Sequence, residues 1–89
     1  MILLVLYRPN SENSTMVENY IEQLQRDIYG INIRKINVDS EEGSNLSRLY
    51  EIMSYPALIV TRDQDGQAQN VWQGTGLPSK DEVVSYMIS

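Results

Sequence analysis

Eighty-nine residues leave room for one small domain, and 42% hydrophobic against 21% charged residues is the balance of a globular chain rather than a disordered one. A net charge of -5, with seven scattered basic residues of which only Arg34 and Lys35 are adjacent, argues against nucleic acid as a partner. With no Cys and no His, the chain lacks a thiol nucleophile, a disulfide, a thiolate metal site and an imidazole base, which excludes most familiar enzyme classes.

The chain opens on Met1-Ile-Leu-Leu-Val-Leu-Tyr7. A membrane span needs about 20 apolar residues, and a signal peptide needs a basic start; this run has neither. It predicts a central strand over residues 2–7, covered on both faces, in a cytoplasmic protein with no membrane partner. Arg8-Pro9-Asn10 breaks the strand. Met16, Val17, Tyr20, Ile21, Leu24 and Ile28 then recur at helical spacing, with Glu18, Glu22, Gln23 and Arg26 on the opposite face. Asn10 or Ser11 can cap this helix, and Thr15 with Glu18 offers a later capping box, so its start falls between 10 and 15. Tyr29-Gly30 ends it, Gly30 being suited to a left-handed cap.

Ile31 to Val38 is rich in β-branched residues and predicts a second strand. Asp39-Ser40 caps a second helix starting near Glu41–Gly43, with Leu46, Leu49, Tyr50 and Met53 as its stripe. The acidic residues Asp39, Glu41 and Glu42 complement the dipole of that helix start, and too few oxygen ligands lie at loop spacing for calcium. Pro56 opens a third strand, Ala57 to Arg62. Asp63-Gln-Asp-Gly66 predicts a hairpin turn into a fourth strand, Ala68 to Gln73. Trp72 within it reads as core or helix-covered packing, with a partly exposed edge position as the alternative. After Gly74-Thr75-Gly76, Ser79 and Glu82 form a capping box for a last helix that hides Val83, Val84 and Met87. The predicted fold is α/β: a single βαβαββα domain over residues 1–89, with a four-stranded mixed sheet and three helices on its faces.

Four local patterns in this order resemble the thioredoxin-like fold of the thioredoxin and glutaredoxin superfamily, over essentially the whole chain. Lys35-Ile36-Asn37-Val38-Asp39 resembles the end of the family's second strand. Tyr50 lies six residues before Pro56, as in the family helix that runs into its cis-proline. Ser54-Tyr55-Pro56-Ala57-Leu58-Ile59-Val60 resembles that cis-proline and the strand it opens. Asp65-Gly66 with Gly74 resembles the closing hairpin and the glycine beside the family's substrate groove. A narrower resemblance to the circadian-clock KaiB family is confined to the first strand and helix.

The chain departs from the superfamily where the superfamily does its chemistry. Ser11-Glu12-Asn13-Ser14 stands where Cys-x-x-Cys would lie, Val5 where thioredoxins keep a buried aspartate, and Asn10 where an aromatic residue precedes the motif. A helix dipole supplies about 0.3–2 kcal/mol, and one pKa unit costs about 1.4 kcal/mol, so a serine hydroxyl cannot be brought near neutrality. The chain as written cannot exchange disulfides. With Glu12 as the only neighbouring base, the two serines do not form a hydrolase site either, and N-capping accounts for at least one of them.

The resemblance therefore implies a redox-inactive binding module. Its groove would be formed on one side by Arg8, Asn10, Ser11 and Ser14, and on the other by Tyr55, Pro56, Thr75 and Gly76. A cis bond at Tyr55-Pro56 would let Tyr55 offer its backbone to an extended peptide. The helix start beside Arg8 makes a small anion a second ligand class. No metal or cofactor is implied, and a monomer is expected. The competing reading is a thioredoxin- or glutaredoxin-type oxidoreductase whose two cysteines are replaced by serine.

Overall fold

A computed structural model describes residues 1–62, 67–74 and 76–87. Its elements run β1 (Ile2–Tyr7), α1 (Ser14–Asp27), β2 (Ile33–Asn37), α2 (Glu41–Leu49), β3 (Ala57–Thr61), β4 (Ala68–Gln73) and α3 (Lys80–Met87). They form one four-stranded sheet in the order β2-β1-β3-β4. β1 pairs in parallel with β2, with Val5 opposite Lys35, and antiparallel with β3, with Val5 opposite Leu58. β3 and β4 are antiparallel, with an irregularity between Val60 and Thr61. The expected βαβαββα order and mixed sheet are both present.

Two central strands with continuous apolar sequence explain the sheet order. Leu3, Leu4, Val5 and Leu6 of β1 and Ala57 to Val60 of β3 are all buried, because each strand is covered on both faces. On one face, Leu3, Val5, Leu58 and Val60 meet Val17, Ile21 and Leu24 of α1 and Val83 of α3. On the other, Leu4, Leu6 and Ile59 meet Ile36, Val38 and Ile52, with Leu46 of α2 packed against them. Trp72 packs into the α1/α3 side and meets the Tyr86 ring edge-on, with centroids 5.6 Å apart.

Several element limits differ from the sequence reading, each for a local reason. Helix α1 begins at Ser14, inside the expected range of 10 to 15, but its N-cap is Asn13 rather than Asn10 or Ser11, and the Asn13 side chain makes no capping bond. Residues 8–11 are consumed by a turn instead. Its C-terminal segment does place Gly30 in the left-handed region, at φ +75°. Helix α2 ends at Leu49, so its stripe stops early: Leu49 is 68% and Met53 87% exposed, and Ile52 takes the buried place. Glu51, at φ +56°, turns the chain there, and the Ile52 N–H donates to the Ser47 carbonyl (2.8 Å). In α3 the stripe is Val83, Tyr86 and Met87, whereas Val84 is only half-buried and lies outside the core cluster. The caps at the other two helices are as expected: Gly43 N–H donates to Ser40 Oγ (2.9 Å) and Glu82 N–H to Ser79 Oγ (3.2 Å). The expected turn at Asp63–Gly66 lies outside the described residues. No helix among the described residues is long and apolar enough to cross a membrane.

Candidate functional site

The C-terminal end of β1 feeds directly into the site. Ser11 N–H donates to the Arg8 carbonyl (3.3 Å), and Asn10 sits at φ +65°. Proline in the second place and a left-handed Asn in the third is the pattern of a type II turn, which explains why Arg8-Pro9-Asn10-Ser11 reverses the chain. The Ser11 hydroxyl also donates to the Arg8 carbonyl (2.6 Å), and the Ser14 hydroxyl donates to the Ser11 carbonyl (2.9 Å). Both hydroxyl protons are thus spent on backbone carbonyls rather than on a side-chain base. That arrangement stabilises the turn and gives neither oxygen the activation a nucleophile needs.

Arg8 points toward the turn that follows β2. Its Nε and a terminal nitrogen hold the two Asp39 oxygens at 2.9 and 3.1 Å, a bidentate pair between the ends of β1 and β2. The hydrogen bond from Arg8, reinforced by its charge, holds the Asp39 carboxyl below its ordinary value. The pair is therefore intact above the usual aspartate range and is lost as pH falls through the lower folded value. NMR titration of the Asp39 carboxyl carbon is expected to give a midpoint below that of an ordinary aspartate, and Arg8→Met should return it to the ordinary value. Both side chains are well exposed, so the same substitution should leave stability nearly unchanged.

The opposite wall is the loop between α2 and β3. The Tyr55–Pro56 peptide is cis. The Tyr55 hydroxyl lies 2.7 Å from Ser47 Oγ, and because Ser47 donates its own proton to the Gly43 carbonyl (2.8 Å), Tyr55 is the donor in this pair. Gln73, the last residue of β4, clamps the loop: its Oε1 accepts from the N–H groups of Met53 (2.7 Å) and Ser54 (3.3 Å). Gly74 N–H donates to the Pro56 carbonyl (2.9 Å). Among the described residues, the Tyr55 N–H and C=O have no backbone partner. Gln73→Leu is expected to remove about 1 kcal/mol of stability and to speed hydrogen exchange at Met53 and Ser54 selectively.

Between the two walls lies a cavity of about 230 Å³, lined by Tyr7, Arg8, Ser11, Asn13, Tyr55 and Pro56. Four of the eight groove residues expected from sequence, Arg8, Ser11, Tyr55 and Pro56, meet there. Asn10 is exposed at the turn, Ser14 is buried behind Ser11, and Gly76 is exposed away from the lining. Thr75 lies outside the described residues. Leu77 joins the α1-side core, and the Pro78 carbonyl accepts from the Tyr20 hydroxyl (2.7 Å), so these two residues carry the chain into α3. Burial, then the Glu18 carboxylate, pushes the Tyr7 phenol above its ordinary value.

Sequence reasoning missed Tyr7, Asn13 and Gln73. Tyr7 is the last residue of an apolar run and carries no mark distinguishing it from core. Asn13 sits inside the Ser-x-x-Ser segment, where its local sequence marks it only as one more loop or cap residue. Gln73 is one polar residue in a strand, and its role depends on a loop some twenty residues away. A second cavity of about 210 Å³ is lined by Tyr20, Gln23, Leu24, Pro78, Ser79 and Lys80. Burial, with Glu82 nearby, pushes the Tyr20 hydroxyl up to about 12, so it stays a neutral donor to Pro78 at physiological pH.

No protein-family model matches the sequence, and no curated protein matches it either. Solved structures do. A protein described as a malarial protein superposes with a TM-score of 0.70 at 19% identity, over 97% of this chain and 91% of the other. Thioredoxin 1 from Thermosipho africanus TCF52B superposes with a TM-score of 0.68 at 14% identity, over 98% of this chain and 90% of its own. Likeness at this level of identity speaks for architecture alone: the chain has a thioredoxin-like fold.

Proposed function

We propose that this domain is a redox-inactive binding module that receives an extended protein or peptide segment between the start of α1 and the Pro56 loop. The observation that carries the reading is the Tyr55 N–H and C=O, without backbone partners among the described residues, at the mouth of the 230 Å³ cavity. A segment pairing with Tyr55 by strand addition would satisfy both groups, and the cavity would take one of its side chains. A peptide is favoured over a small anion because the Arg8 guanidinium is already engaged by Asp39. An acidic, cysteine-free chain fits a cytoplasmic monomer that binds neither nucleic acid nor membrane.

Titrating the ¹⁵N-labelled domain with a pool of extended ten-residue peptides tests this. Amide shifts concentrated at Tyr55, Ser11 and Asn13 are expected. An unchanged spectrum, or shifts confined to the far edge of the sheet, would overturn the reading. The alternative of a serine-substituted oxidoreductase draws on one observation: Ser11 reaches the cavity while Ser14 is buried directly behind it. The natural gene decides it. Cysteine codons at 11 and 14 would make this a trapped oxidoreductase, and serine codons leave that reading without a nucleophile.

A further inference from the structure

We infer that the segment received at this site is both apolar and cationic: it presents an apolar side chain to the surface formed by Leu49, Met53 and Tyr55, flanked by Lys or Arg. The inference rests on the peptide-binding reading above and adds the chemistry of the partner. Leu49, Met53 and Tyr55 are 68, 87 and 36% exposed, and all three lie on the stretch leading into Pro56. The Met53 backbone is pinned, because Gln73 Oε1 accepts from the N–H groups of Met53 and Ser54. Exposed apolar side chains spaced from the end of α2 along the stretch that enters the cavity wall at Tyr55 mark a contact surface, and a methionine adapts to varied partners.

The charge around the site has one dominant sign. Arg8 contributes none to a ligand's account, since Asp39 matches it atom for atom. Glu12 adjoins Ser11, Glu18 acts on the Tyr7 phenol in the cavity wall, and Glu51 lies between Leu49 and Met53. Among the described residues none of these three carboxylates has an ion-pair partner. Arg48, in the last turn of α2, is the opposing charge on this stretch, and it is hydrogen bonded to Asn45. Three carboxylates against one guanidinium, on a chain of net charge -5, attract a cationic segment and repel an acidic one.

The test uses the intact domain and labelled nine-residue peptides sharing one apolar centre, flanked by Lys, Gln or Glu. Binding by fluorescence anisotropy, with amide shifts locating the site, is expected to favour the Lys peptide over the Glu peptide roughly tenfold at low salt. The gap should narrow at about 0.15 M salt. The triple variant E12Q/E18Q/E51Q should abolish the preference, and Met53→Ser should weaken all three peptides. A Lys peptide whose apolar centre is replaced by Ser should no longer shift Tyr55. If the Glu or Gln peptide shifts Tyr55 at concentrations no higher than the Lys peptide, the charge inference falls while peptide binding stands. If the Ser-centred Lys peptide binds equally well, the apolar half falls. If no peptide shifts Tyr55, both the inference and the reading beneath it fall.

Discussion

Gly43→Ala is expected to lower the stability of the domain by about 2–3 kcal/mol, although alanine is the better helix former. Gly43 lies in the first turn of α2, which presses onto the end of β2. A Cβ there would overlap the Asn37 carbonyl oxygen and stand 2.9 Å from both the Asn37 carbonyl carbon and Val38 Cα. These are backbone atoms of a paired strand and cannot turn aside as a side chain would. Sliding the helix away would stretch the Gly43 N–H to Ser40 Oγ cap, and a lost cap costs about 1 kcal/mol. That loss offsets the roughly 1 kcal/mol that alanine gains in helix propensity, so the overlap decides the sign. A small domain of this length has roughly 4–13 kcal/mol in total, so the change should be plain in a urea unfolding curve. Gly76→Ala, where a Cβ would meet nothing within 4 Å, serves as the control and should shift stability by no more than about 0.5 kcal/mol. Equal stability of the two variants would mean that α2 does not sit this close to β2.

Leu58→Ala is expected to cost about 3 kcal/mol, and Leu49→Ala less than about 0.5 kcal/mol. Leu58 is fully buried at the centre of β3, between Val5 of β1 and Trp72 of β4. Removing its side chain leaves a void in a close-packed layer that two flanking strands hold open. Leu49, by contrast, is 68% exposed at the last turn of α2. Thermal or urea unfolding of the two variants checks the contrast directly. Comparable losses would place Leu49 in the core and dismantle the contact surface argued for it above.

That contrast also shows how far the sequence could be read. The strands were legible because β1 and β3 are continuous apolar runs bounded by proline and turn residues, and only a strand buried on both faces accounts for so short a run. The parallel β1/β2 and antiparallel β3/β4 pairings followed from a helical crossover and a turn signal, whereas the antiparallel seam between β1 and β3 that sets the strand order carries no local mark in the sequence. The helix limits were less legible. Periodicity carried the α2 stripe on to Met53, but Glu51 in the left-handed region and the Ile52–Ser47 hydrogen bond end it earlier, and spacing alone cannot signal a backbone turn at a glutamate. At the start of α1, Asn10 and Ser11 look like caps in isolation. Pro9 instead recruits them into a turn, and the hydroxyl that could have capped the helix bonds back to Arg8.

The candidate site was half legible. Arg8, Ser11, Tyr55 and Pro56 lie beside turn residues that local chemistry marks, and they converge on one cavity. The groups that shape the cavity come from long-range pairing. Asp39 meets Arg8 from 31 residues away, and Gln73 meets Met53 from 20 residues away. Each is an ordinary polar residue until the sheet brings strand ends together. The serines read differently once their partners are known, since each hydroxyl closes a turn and neither is poised for chemistry.

Hydrogen exchange at the single amide of Tyr55, with and without a saturating Lys-flanked apolar peptide, shows whether a bound segment pairs with this loop. Without ligand, an N–H that has no backbone partner should exchange fast. Pairing with an extended segment should slow it markedly, while amides on the far edge of the sheet stay unchanged. A peptide that binds yet leaves Tyr55 exchange as fast as in the free domain would contradict strand addition at this loop.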